Sequence, residues 1–231
     1  MMRSASAIFI KQVQDILKNK GVLLQAISFP VMAFVLTNFV ELPHDIPDTM
    51  FISLFAIMFI GLVIISNSAT IIAEDRERKC LRFLMMAGVK SHQYLTGIGG
   101  VLLLFSLAVG AIFAAMMPGF TLIERLIFLG SLMLGAVASI LLGAIVGMLA
   151  KNEQSSISLS MTVGMFMGFG PMVAAFNETT GRLFSIFYTM NFIYHFGAYA
   201  NMNRSLTIIM INIVVLALVF AWVYKKRGLR T

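Results

Sequence analysis

The ionisable groups of this chain are concentrated at Glu74, Asp75, Arg76, Glu77, Arg78 and Lys79, a run that leads directly into its single cysteine, Cys80. The spacing suits binding rather than turnover. Glu74 with Arg78 and Asp75 with Lys79 are acid-before-base pairs at i, i+4, each adding a few tenths of a kcal/mol to a helix. Leu81, Leu84, Met85 and Gly88 fall on one stripe of the same helix. Residues 74–90 therefore read as one helix with an apolar stripe and a charged back, and Gly88 supplies its end. A solvated loop face is the plain reading of a charge run, but this pattern is also what a docking element for a cytoplasmic partner looks like. Catalytic constellations are missing from the sequence. His44, His92 and His195 form no His-Glu-x-x-His helix, and no Gly-x-x-x-x-Gly-Lys-Ser/Thr loop is present to hold a nucleotide. Cys80 has no second cysteine for a disulfide or a metal framework. The sequence offers no catalytic residue and no metal site.

The elements that must carry the charged run are apolar. Stretches at 21–40, 50–73, 94–117, 126–150, 157–176 and 205–224 contain no Asp, Glu, Lys or Arg. Each approaches or exceeds the roughly 20 helical residues needed to cross about 30 Å of hydrocarbon. The expected fold is all-α: a polytopic membrane protein of six transmembrane helices, with residues 1–231 as one domain. Ion-coupled carriers keep ionisable groups within their spans to handle the ion, and no such group lies there. That class is excluded, as is an intramembrane enzyme. An even number of spans puts both termini on one side, and fourteen of the seventeen Lys and Arg then share that side, leaving Arg125, Arg182 and Arg204 opposite. The positive-inside bias makes the basic side cytoplasmic. The net charge of +7 thus belongs to the inner rim and to anionic lipid, not to nucleic acid.

Other patterns refine this plan. Phe9, Val13, Ile16 and Leu17 recur at helical spacing, so residues 1–20 read as an amphipathic helix lying in the inner interface. Ser131, Gly135, Ser139, Gly143 and Gly147 repeat every four residues along span four, and Gly164 and Gly168 do so on span five. Such ridges let backbones approach closely, and their expected role is packing within the chain. Met165, Phe166, Phe169 and Met172 on span five could line an adaptable path for hydrophobic cargo. Lipid contact is the plainer reading of those residues. Within residues 177–204 the run 183–194 is too apolar for a loop, but a seventh span would put the Lys225-Lys226-Arg227 end outside against the charge rule, and the unbroken run is nearer the length of a re-entrant segment. A helical re-entrant segment on the outer side is expected, turning near Asn191 or Gly197.

Six spans, an amphipathic lead-in helix, a charged helix after span two and an apolar external segment after span five together resemble a bacterial ABC transporter permease of the type 2 family, the exporter class. The sharpest motif is an acidic-basic cluster followed by Leu-x-x-Leu, matched by Glu74, Arg76 and Glu77 with Leu81 and Leu84. Two positions depart from the pattern: Lys79-Cys80 stands where Gly-Thr often follows, and Ala87-Gly88-Val89 where proline is frequent. The resemblance implies that 74–90 is a coupling helix whose Glu74, Arg76, Glu77, Leu81, Leu84 and Met85 seat in a groove of an ATPase. It implies two such permease subunits, as a homodimer or heterodimer in the cell membrane, above two cytoplasmic ABC ATPase subunits. ATP and Mg²⁺ would be bound by those subunits, and no cofactor by this chain. The cargo implied is a drug, lipid or peptide. The competing reading is a membrane immunity or regulatory protein that senses or sequesters a peptide without moving it.

Overall fold

The computed structural model describes residues 2–40, 49–80, 83, 86, 88, 91–174, 178–197 and 202–227, with backbone alone at 2–8, 91, 178, 193–197, 202 and 227. Every regular element among them is helical: α1 (Met2–Lys18), α2 (Lys20–Phe39), α3 (Met50–Met58), a π-helical turn (Phe59–Ile64), α4 (Ile65–Glu77), α5 (Ser91–Ala115), α6 (Leu122–Leu149), α7 (Glu153–Ala174), α8 (Glu178–Phe184), α9 (Tyr188–Gly197) and α10 (Met202–Arg227). Six of these runs are long and apolar enough to cross a membrane: α2, the continuous Met50–Glu77, α5, α6, α7 and α10.

Spans two and four form the centre. Of their most apolar stretches 67% and 72% is buried within the chain, against 17% for spans one and six, which therefore lie at the periphery. The reason is visible in the ridge of α6. A methyl group on Gly143 would fall on the carbonyl oxygen of Ile65 and 2.8 Å from Ser68 Cβ, and one on Gly147 would fall on the carbonyl of Ala69. Gly135 faces Ile60, Ser131 is buried, and Ser139 shares a 2.7 Å hydrogen bond with Tyr188 of α9. Ser68 Oγ donates to the Ile140 carbonyl at 2.8 Å. Span two thus lies along the small-residue face of span four, backbone against backbone.

Span five meets the other side of span two at the π turn. A methyl group on Gly61 would lie 2.7 Å from the Gly168 nitrogen, and one on Gly164 would lie 2.7 Å from the Gly61 carbonyl. The extra residue of a π turn rotates the helix past its usual register, and here it coincides with the glycines that touch.

α1 seats on α5, with the Phe9 ring within 3.4 Å of where a Gly100 methyl would be. Ile16 and Gln12 are buried, whereas Leu17 is 64% exposed, so the apolar stripe is narrower than its sequence spacing suggests. Asn19 separates α1 from α2 and caps the latter, its side chain accepting from the Gly21 and Val22 amides at 3.1 and 3.2 Å.

After span five the chain forms two short helices, of 7 and 10 residues, each far below the roughly 20 needed to cross. The break falls at Ser185–Phe187. Asn191, expected at a turn, lies inside α9, where its Nδ2 donates to the Ser185 and Phe187 carbonyls at 2.7 and 2.9 Å. Asn212 of α10 donates to Ile186 at 2.9 Å and ties the same break to span six. Gly197 is the last residue of α9.

Candidate functional site

Span two carries the charged run at its end. α4 continues to Glu77, and then Lys79 adopts φ 60°, the left-handed conformation. Its amide donates to Arg76 O at 2.9 Å, which closes the helix in the manner of a C-terminal cap. A new turn begins at once, the Phe83 amide donating to Lys79 O at 3.1 Å. Cys80, Phe83 and Met86 are helical, and Gly88 has φ 80°. The single helix expected over 74–90 is therefore broken at Arg78–Lys79. Phe83 and Met86 are 68% and 66% exposed. Leu81, Leu84 and Met85 lie outside the described residues.

The side chains explain the break. Glu74 and Arg78 form the expected i, i+4 pair at 2.8 Å. Asp75 does not pair with Lys79, because it points into the protein and is 7% exposed. Its two oxygens meet Lys11 of α1 at 3.3 Å and the Tyr94 hydroxyl of α5 at 2.8 Å. Burial lowers the pKa of the Lys11 ammonium, but the charge and hydrogen bond of Asp75, joined by Asp15 and Cys80, together outweigh it and hold the pKa above its usual value. Tyr94 in turn packs on Tyr224 of α10, ring centroids 6.1 Å apart. One carboxylate thus joins α1, α4 and α5.

Arg76 and Glu77 reach the other way. Arg76 Nη1 donates to the carbonyls of Gly147, Met148 and Ala150 at 3.2, 2.7 and 2.7 Å. Those carbonyls have no intrahelical partner at the end of α6, and a cation there also meets the negative end of the helix dipole. Glu77 Oε2 accepts from the Glu153 amide at 2.8 Å, placing a carboxylate at the positive end of α7. Glu74, Arg76 and Glu77, which the resemblance assigned to contact with an ATPase, are thus engaged inside this chain. The partners of Arg76 and Glu77 at 147–153 and the Lys11–Asp75–Tyr94 group carried no sequence signal beyond residue type.

The aromatic and methionine positions of α7 lie apart from this site. Met165 and Phe166 are more than half exposed, and Phe169 and Met172 lie beside them on the outward face of the chain. Phe166 also packs on Phe184 and Phe187, with centroids 4.9 and 5.7 Å away.

A charged turn thus ends the long second span and caps spans four and five. Comparison with curated proteins finds none that matches. The family model described as ABC-2 family transporter protein matches residues 4–224. That match takes in all six spans and the charged turn, and the chain accordingly belongs to the ABC-2 family of transporter permeases.

Proposed function

We propose that this chain is the membrane-spanning subunit of an ATP-driven exporter of hydrophobic or amphipathic cargo, with both termini in the cytoplasm of a bacterial cell. The observation that carries the proposal is the family match over residues 4–224. Two further features support it: a charged run after span two that offers exposed Phe83 and Met86 to a partner, and spans with no ionisable residue at mid-depth to couple an ion. The energy source then resides in a cytoplasmic ABC ATPase, two copies of which bind ATP and Mg²⁺ beneath a pair of permease subunits. Met165, Phe166, Phe169 and Met172 face away from the chain's own core, so a path built on them needs a second permease subunit opposite.

Co-expression with an ABC ATPase from a neighbouring gene tests the reading. Leu81→Asp with Leu84→Asp, and separately Phe83→Asp with Met86→Asp, should leave membrane insertion unchanged, because all four residues lie outside the spans. At least one pair should abolish ATPase co-purification. An ATPase retained by both pairs, or absent from the wild-type complex, would overturn the proposal.

A further inference from the structure

We infer that Arg76 and Glu77 are positioning residues that lock spans two, four and five into one rigid block, so that force applied to 78–90 reaches all three spans together. This rests on the reading of the chain as an ATPase-driven permease. The lock has two ends. At the charged end, Arg76 holds three carbonyls that terminate α6, and Glu77 holds the Glu153 amide that begins α7. These are charge-assisted bonds, which are stronger than neutral ones. Each places the charge that the helix terminus favours.

Along the rest of the block, Gly143 and Gly147 sit against Ile65 and Ala69, and Gly61 sits between Gly164 and Gly168. Where backbones touch with no side chain between them, sliding or rotation meets hard contact within a fraction of an ångström. Span one is joined differently. α2 meets span two through rings, Phe29 against Phe55 and Phe59 at 6.4 and 6.5 Å, and side chains of this kind can change rotamer. The movement of transport is therefore a displacement of the block against span one, with the loop at 150–153 carried along by the coupling segment as part of the same body.

Spin labels on the complex with its ATPase test this without knowledge of the cargo. One pair places labels on Cys80, in the segment that takes the force, and on a cysteine at Lys151→Cys, in the loop between spans four and five. A second pair, in a Cys80→Ser background, uses Lys151→Cys and Lys20→Cys at the start of span one. Trapping with magnesium ATP and orthovanadate should shift the 20–151 distance and leave the 80–151 distance unchanged. In Arg76→Ala and in the milder Arg76→Lys and Glu77→Gln, the ATPase should still co-purify and hydrolyse ATP. The 20–151 shift should be lost, and the 80–151 distribution should broaden on trapping. A plain stabilising role would lower the thermal midpoint and leave the 20–151 shift intact in the folded variants, and that result would overturn the inference. So would a wild-type 80–151 distance that changes on trapping. Absence of any ATPase from the wild-type complex would instead count against the proposed function.

Discussion

Lys79 holds φ 60°, a conformation that costs a residue with a β-carbon about 1–2 kcal/mol. The turn ends the helix just beyond Asp75, Arg76 and Glu77, which between them face four other helices, α1, α5, α6 and α7. The position coincides with the one where the resembling family often carries glycine. Lys79→Gly should therefore stabilise the fold by about 0.5–1 kcal/mol after the added freedom of the unfolded chain is counted, read as a raised thermal midpoint in detergent; an unchanged or lowered midpoint would show the turn to be unstrained. Tyr94→Phe works in the opposite direction. It removes the 2.8 Å donor from a carboxylate that is only 7% exposed, and a buried acceptor left short of its partner costs about 1–3 kcal/mol. The same thermal unfolding assay checks it. Little of this was legible in advance, because a lysine carries no signal for a left-handed turn. Gly88, also left-handed at φ 80°, was readable as a helix end because only its residue type is free to adopt that conformation at no cost.

At the level of elements, the spans were legible because bilayer thickness dictates their length and the absence of charge marks their extent. The four-residue repeat of small side chains was legible too, but its partner was not. Nothing in Gly143 or Gly147 names Ile65 and Ala69, which lie more than seventy positions away and are themselves ordinary apolar residues. The break between α8 and α9 was harder to read: Asn191 looks like a turn former, yet it serves the turn from inside the following helix through its side-chain amide, while Gly197, the other position expected, ends α9. Glycines on one helix should therefore differ in their tolerance. Gly143→Val and Gly147→Val put side-chain atoms where the Ile65 and Ala69 carbonyls stand, and each should cost about 1–3 kcal/mol or more, read as loss of monodisperse protein on size exclusion. Gly130 of the same α6 has nothing within 4 Å of the added methyl. Gly130→Ala should be neutral or stabilising by up to about 1 kcal/mol on helix propensity alone. Equal damage at positions 130 and 143 would sink the assignment of the ridge to contact with span two.

For the molecule as a whole, the proposed orientation and driving force rest on where charge is and is not. Fourteen of seventeen basic residues share one side under a six-span topology, so an impermeant thiol reagent applied to intact cells should label Thr180→Cys in a Cys80→Ser background and should not label Cys80 of the wild type. Reversal of that pattern would invert the protein. The driving force is the stronger test. Placing an ionisable group at mid-bilayer costs at least about 2.5–3.5 kcal/mol on insertion scales, and a carrier bears that cost only where the group handles an ion. The six apolar stretches hold no Asp, Glu, Lys or Arg, while Asp75, Arg76 and Glu77 sit at the end of span two, bound to α1, α5, α6 and α7. Charge thus sits at the rim where the proposed ATPase would act and is missing from the middle of the apolar stretches. When the permease and its ATPase are reconstituted in vesicles, magnesium ATP with orthovanadate should shift the 20–151 distance equally with and without an uncoupler. It should fail to do so when the ATPase loses its catalytic carboxylate. A shift produced by a proton or sodium gradient in the absence of nucleotide would place the energy source within the spans, where the sequence leaves nothing to receive it.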